Sequence, residues 1–325
     1  MSRRPDPVST TDLLEWALLT LRRDWRQYEG VSRPLTWGRI EQSRSPIVRR
    51  PVFVIGAPRS GTSFLGRCIG RLPEVSYHFE PAATQRAAQH VYFDRWSFDR
   101  AARFYRTVYR WLLRIHLDGD LRYADKSPRN CFLVSFLHRV FPDAQFVHII
   151  RDGRDAALSH SKKPWLQAAA AESGEQGVGG HQFGPYARFW VEEDRIEEFE
   201  TTTDYHRCIW AWRRHVERAL RASEELASHQ YHEVRYERLV RAPLDAGNRL
   251  LDALGIQREA SRVRLLEQAR TAHDESVGAW KRELSVEQRR TAREEAGAAL
   301  ETLGYVDGTN DESERVFGPG QRPSE

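Results

Sequence analysis

Cysteine is scarce in this 325-residue chain: Cys68, Cys131 and Cys208 lie far apart, and no two are spaced as C-x-x-C. An odd, scattered set argues against a disulfide framework, and the lack of a Cys/His cluster argues against zinc. Long apolar runs are missing too. No stretch of 18 apolar residues occurs, and the N-terminal MSRRPDPVSTTDLLEW lacks an apolar core with a cleavage site. This predicts a cytoplasmic protein without a transmembrane segment. Charge of one sign is not in large excess either, since 50 Lys+Arg against 46 Asp+Glu leave +4. The pI near 9.0 reflects cations that are nearly all arginine. Bulk arginine is uninformative alone, so only arginines inside motifs are used, and no nucleic-acid partner is expected. No internal repeat is present. What remains is an ordinary globular composition, 40% hydrophobic and 30% charged, long enough for one large α/β domain or two small ones.

Along the chain, residues 1–50 read as an N-terminal extension with one helix, about 12–26. Thr10 or Thr11 would cap it, and Leu13, Leu14, Ala17, Leu18 and Leu21 would share one face. Residues 51–55 are a continuous apolar run ending at Gly56, which predicts a buried parallel strand. A helix over about 63–71 follows. A largely helical stretch covers 81–117, then a polar segment at 123–130 and a helix over 132–140. A second buried strand runs over 145–150, with a loop and helix from Arg151. The scattered glycines of 165–186 predict a mobile loop. Helices are expected over 187–199 and 204–228, a third strand over 232–236, and helices beyond it. The polar tail, 306–325, is predicted to be disordered. Apolar strands alternating with helices give a three-layer α/β/α domain over 51–305, with a central parallel sheet, a P-loop nucleoside-triphosphate-hydrolase-like architecture and helical additions.

The chemistry concentrates at Gly56-Ala-Pro-Arg-Ser-Gly-Thr-Ser63. A Walker A loop reads G-x-x-x-x-G-K-[ST], with Lys for the β/γ-phosphates and a hydroxyl for magnesium. Here the glycine spacing survives, but Thr62 takes the place of that Lys and Arg59 stands earlier in the loop. Backbone amides at a helix N-terminus still make an anion cradle, so the loop is expected to hold a terminal phosphate without transferring it.

Arg59-Ser-Gly-Thr-Ser63 resembles the 5′-phosphosulfate loop of sulfotransferases that use 3′-phosphoadenosine-5′-phosphosulfate (PAPS). The style of motif is nearest to the tyrosylprotein and carbohydrate branch. A second signature, Phe146-Val-His-Ile-Ile-Arg-Asp-Gly-Arg-Asp-Ala-Ala-Leu-Ser159, matches the family's 3′-phosphate segment, which implies that Arg151 and Ser159 bind that phosphate. Weaker likenesses imply adenine contact by Tyr236, and Ser276, Trp280 and Lys281 closing over the nucleotide. The resemblance implies PAPS as co-substrate, adenosine 3′,5′-bisphosphate (PAP) as product, and no metal. The acceptor would be a hydroxyl of a small molecule, carbohydrate or lipid, and a homodimer is compatible with this.

Sulfuryl transfer needs a base on the acceptor hydroxyl and a cation at the leaving oxygen. Leu72-Pro-Glu-Val-Ser-Tyr-His-Phe-Glu-Pro81 offers His78 and Glu80, and likeness to the tyrosylprotein branch favours Glu80. For the cation, Arg59 and Lys126 are candidates, with Pro128 keeping Lys126 in a loop. Asp125 and Arg129 read as supporting residues. The acid-rich 192–200 segment reads as a solvated face, and the tryptophans at 165, 190, 210 and 212 as core. A P-loop kinase or NTPase, and a non-catalytic nucleotide-binding protein, are the competing readings.

Overall fold

The computed structural model describes residues 4–305 except His273, so the predicted tail lies outside the described residues. The N-terminal segment forms two helices rather than one: α1 (Thr10–Gln27) and α2 (Trp37–Arg44). Ser9, not a threonine, caps α1 through a capping box with Asp12. The buried face of α1 also differs from expectation. Leu14, Leu18 and Leu21 are exposed, whereas Trp16, Thr20 and Asp24 are buried. The helix turns inward the residues that can hydrogen-bond, and Asp24 accepts from the backbone amide of Ala82.

The domain itself is one sheet of five strands, all parallel, in the order β2-β3-β1-β4-β5. In chain order β1 is Val52–Ile55, followed by α3 (Thr62–Gly70), β2 (Val75–Phe79), α4 (Ala82–Tyr92), α5 (Phe98–Ile115) and β3 (Arg122–Lys126). A 3-10 turn over Pro128–Phe132 leads into α6 (Val134–Val140), β4 (Gln145–Ile150) and α7 (Gly153–Ser161). Then come α8 (Ile196–Thr201), α9 (Asp204–Ser223), β5 (Tyr231–Arg235), α10 (Tyr236–Arg241), α11 (Pro243–Leu254), α12 (Glu259–Ala269), α13 (Trp280–Glu283) and α14 (Val286–Thr302). The strands β2 and β3 were not anticipated. Both carry polar side chains, and these are buried in pairs rather than exposed. Arg122 of β3, for example, donates to the carbonyl of Leu254 at 2.9 Å.

Alternate residues of the central strand feed two cores. Val52 and Val54 pack with α3, α11 and α12, while Phe53 and Ile55 pack with α5, α6 and α9. This is the three-layer α/β/α arrangement. The second core also takes in α1 through Trp16, so the N-terminal segment folds onto the domain. Residues 187–192 are not helical. Phe189, Trp190 and Val191 are all buried in succession, a pattern one helical face cannot deliver. Residues 165–186 hold short 3-10 turns and one antiparallel bridge, Gln176 with Gln182. Among the described residues, no helix is long and apolar enough to cross a membrane.

Helix α7 packs against α9 through Gly153, where an added Cβ would fall 2.6 Å from the Trp212 ring. The same indole donates to the carbonyl of Arg151 at 3.0 Å, tying the end of β4 to the core. Gly153→Ala is therefore expected to destabilise the fold by roughly 1–3 kcal/mol through overpacking, read as a lower urea midpoint with an unchanged m-value.

Candidate functional site

Because every strand runs the same way, five carboxyl ends line one edge of the sheet, and a predicted site residue follows or ends each of them. After β1 the chain turns sharply. Gly56 has φ 147° and Gly61 φ 90°, and Arg59, although not glycine, has φ 68°. A Cβ on Gly61 would meet Tyr236 Cδ2 at 2.5 Å. Only glycine lets the loop pass beneath that ring and start α3 at Thr62. The first-turn amides of α3 then need an external acceptor, which is the physical basis of an anion cradle.

The ends of β4 and β5 close on this loop. Arg59 Nε donates to Ser159 Oγ at 3.1 Å, and the Arg151 guanidinium donates to the carbonyls of Arg59 at 3.1 Å and Ser276 at 2.6 Å. The Arg151 guanidinium also lies 4.6 Å from the Tyr236 ring centre, and the Tyr236 hydroxyl is 3.2 Å from Ser276 Oγ. Burial and then the neighbouring Arg151 lower the basicity of Arg59. Two cations held this close call for an anion between them. Ser60 Oγ and Arg151 Nε are buried without a hydrogen-bond partner, which also fits an anionic ligand. Arg59, Ser60, Gly61, Thr62, Ser63, Arg151, Ser159, Tyr236 and Ser276 are thus brought together. The Trp280 ring stacks on Arg154 at 3.7 Å, and Asp155 holds its amide at 2.8 Å and that of Gly278 at 2.7 Å. Lys281 stands with its ammonium 5.7 Å from that ring.

At the ends of β2 and β3, Phe79 pairs in register with Lys126. Lys126 is the last residue of its strand, not part of a loop as Pro128 suggested. Its ammonium is buried, sits 3.8 Å from the Phe79 ring centre and forms an ion pair with Glu80 Oε1. Burial pushes the Glu80 carboxyl upward, but Lys126, Arg23 and Arg129 outweigh it and hold the group below its ordinary value of 4.5. Burial lowers Lys126, against the pull of Glu80. Glu80 has φ 45°, a strained setting for a side chain with a Cβ. Its amide donates to the Lys126 carbonyl at 3.0 Å, and its carbonyl accepts from Arg23 at 2.6 Å.

His78 does not share this position. It is buried at 2% exposure, with Nε2 3.0 Å from Ser76 Oγ and its ring stacked on Tyr123, and burial drives its basicity well down. Of the two base candidates, Glu80 is the one beside Lys126. Asp125 faces a separate polar cluster. Asn130 donates to it at 2.9 Å, and burial raises its carboxyl to about 7. Sequence reading missed Arg23 and Asp24 of α1, which brace the Glu80 turn. Their only local signal is the polar pair Thr20 and Asp24, following Trp16 at helical spacing. The cavity of about 610 Å³ between α9 and α14 contains none of these residues.

Comparison with known proteins places the chain in a family. The model of the Sulfotransferase family matches residues 51–260, and the chain belongs to that family. Its fold is similar to that of sulfotransferase STF9 from Mycobacterium avium, with a TM-score of 0.51, 16% identity, and 81% of this chain and 79% of that one covered. Mouse sulfotransferase SULT7A1, solved with PAP, matches at a TM-score of 0.47 and 12% identity over 80% of this chain and 88% of that one. A curated relative from Aquifex aeolicus, described as an uncharacterized protein, is 30% identical over 150 residues, 40% of this chain. The match spans 18% of that relative's length.

The brace makes a pH prediction. Burial raises the Asp24 carboxyl to about 6, against the amide of Ala82 and Arg23, which pull it down. The folded state therefore takes up a proton at a higher pH than the unfolded chain, whose ordinary value is 3.8. The associated stability is present below 3.8 and lost as pH rises through about 6. Wild type should gain stability relative to Asp24→Asn as pH falls from neutral, measured by urea unfolding across a pH series.

Proposed function

We propose that the chain transfers the sulfuryl group of PAPS to a hydroxyl acceptor by in-line displacement. The observation that carries this reading is the closure of two βα junctions on one another: Arg59 Nε on Ser159 Oγ, and Arg151 on the carbonyl of Arg59. One phosphate cradle supports nucleotide binding in general. Two cation-lined positions on adjacent strands suit a nucleotide with separate 5′ and 3′ anionic groups. In this reading the amides of α3 with Ser60, Thr62 and Ser63 hold the 5′-phosphosulfate, Arg151 and Ser159 hold the 3′-phosphate, and Tyr236 and Ser276 border the base. Trp280 and Lys281 would close the side of the nucleotide near Asp155.

Glu80 takes the proton of the acceptor hydroxyl as its oxygen bonds to sulfur. The bond from sulfur to the bridging phosphate oxygen breaks, leaving PAP and a sulfate ester. Lys126 and Arg59 offset the negative charge that develops on the bridging oxygen. The Lys126–Glu80 pair gives this sequence an internal logic. While paired, Glu80 is ionised but weakly basic. Once Lys126 turns to the leaving oxygen, burial is no longer opposed by that ammonium, and the carboxylate becomes a stronger base. Arg23 holds the Glu80 turn while this exchange occurs.

A kinase or NTPase reading would need a carboxylate for magnesium at a strand end. Asp152 is instead paired with Arg154 at 2.8 Å and Asp125 is bonded to Asn130, which disfavours it. Calorimetry should show PAP binding without magnesium and little binding of ATP·Mg²⁺ in a magnesium-containing buffer, and Arg151→Ala should abolish the PAP signal. Preferential ATP·Mg²⁺ binding would falsify the proposal. Glu80→Gln should lower kcat by about 10²–10⁴ with PAP affinity kept, and PAP binding without any transfer would favour a non-catalytic binder. Arg23→Ala should reduce kcat at constant PAP affinity, with partial rescue by Arg23→Lys.

A further inference from the structure

The outer face of α1 has no part in the reaction derived so far, although the inner face does. Inward, Arg23 donates to the carbonyl of Glu80 at 2.6 Å and Asp24 accepts from the amide of Ala82 at 3.0 Å. Outward stand Leu14, Leu18, Leu21 and Trp25, which are 63%, 55%, 41% and 59% exposed. Trp25 also stacks on His116 at 5.2 Å. The four side chains follow one another at intervals of 4, 3 and 4 residues. That alternation is the pattern of an apolar seam between two paired helices, and on one α-helix it draws a stripe about three turns long. A contiguous apolar stripe in water is the kind of surface that marks an interaction site.

The charges beside the stripe decide what can cover it. Glu15 and Arg22 are seven residues apart, so they stand on the same flank of the seam, and both are exposed. Within the chain neither has an ion-pair partner among the described residues. The helix is acidic at its start, with Asp12 and Glu15, and basic at its end, with Arg22, Arg23 and Arg26. Two copies of α1 laid antiparallel bring each acidic end against the basic end of the other. Leu18 of one copy then faces Leu21 of the other, Leu14 faces Trp25, and Glu15 comes beside Arg22 twice, once on each side of the two-fold axis. A parallel pair would set like ends together. An anionic lipid surface would meet the acidic end of the stripe as well as the basic one, which disfavours it. One helical seam buries less than the about 1,200 Å² of stable complexes, so this face supports a weak, reversible dimer.

We propose that the outer face of α1 is a self-complementary interface through which two copies of this chain associate, helix against antiparallel helix. Leu14, Leu18, Leu21 and Trp25 form the seam, and the Glu15–Arg22 pairs fix its direction. One helix thus meets the second copy with one face and braces the Glu80 turn with the other. The interface follows from α1 itself and does not depend on the sulfotransferase reading.

The test is sedimentation equilibrium of the full chain at low salt, over concentrations on the order of 1–200 μM. A monomer–dimer equilibrium in this range is expected. Leu18→Glu and, independently, Leu21→Glu should leave only monomer, with urea midpoints matching wild type because both positions face water. Glu15→Arg and Arg22→Glu should each weaken the dimer about tenfold, since each sets like charges together at two contacts. Glu15→Arg combined with Arg22→Glu should recover most of the wild-type affinity. The proposal is overturned if wild type stays monomeric throughout, or if the dimer persists in both leucine variants, because the interface then lies elsewhere. It is also overturned if the charge exchange associates no better than the single variants. Flotation with vesicles of anionic phospholipid gives a further arm: binding by a monomeric wild type, lost in Leu18→Glu, would assign the face to a membrane surface instead.

Discussion

The common direction of the five strands is the constraint on which the rest of this molecule depends. A parallel sheet sends every strand out at the same edge, so the loops leaving β1, β2, β3, β4 and β5 meet without any of them needing to be long. The carbonyl of Lys126 receives the amide of Glu80, and the carbonyl of Arg59 receives Arg151. Each of these bonds joins the ends of different strands. A reversed strand would carry its functional residue to the opposite end of the sheet.

That edge is expensive to build. Lys126 and Arg151 are buried cations, and Glu80 and Arg59 adopt left-handed backbone conformations without being glycine. Such positions persist only where neighbours leave no alternative. Arg23 and Asp24 secure the turn at Glu80 from a helix outside the segment matched by the family model, and Trp212 fixes the carbonyl of Arg151 from beneath. The large aromatic core around α5, α6 and α9 offsets the cost of desolvating these groups, since apolar burial scales with area and does not depend on orientation.

Much of the two βα junctions after β1 and β4 was legible in the chain. The run at 51–55 and the run at 145–150 are continuous and apolar, as strands buried on both faces must be, and each ends at a motif with recognisable phosphate chemistry. The edge beyond β1 was far less legible. Val75-Ser-Tyr-His-Phe79 and Arg122-Tyr-Ala-Asp-Lys126 carry polar residues that look solvated in one dimension. In space Ser76 meets His78, Asp125 meets Asn130, and Lys126 meets Glu80. Helix α1 misled for the complementary reason, because Leu14, Leu18 and Leu21 are exposed while Thr20 and Asp24 are buried.

From the chain alone came the Gly56–Ser63 turn, the Phe146–Ser159 segment and the parallel α/β class, because these depend on glycine placement, apolar runs and local spacing. It also named Glu80 and His78 as alternatives, with Glu80 favoured only by likeness to the tyrosylprotein branch. Only the tertiary structure decided that Glu80 stands beside Lys126 while His78 is enclosed with Ser76 and Tyr123. Tertiary structure alone also brought Arg23 and Arg129 to the neighbourhood of that carboxylate. Their positions depend on contacts between segments far apart in the chain. Coulombic interaction depends on distance and desolvation, which no order of residues displays until the chain has folded.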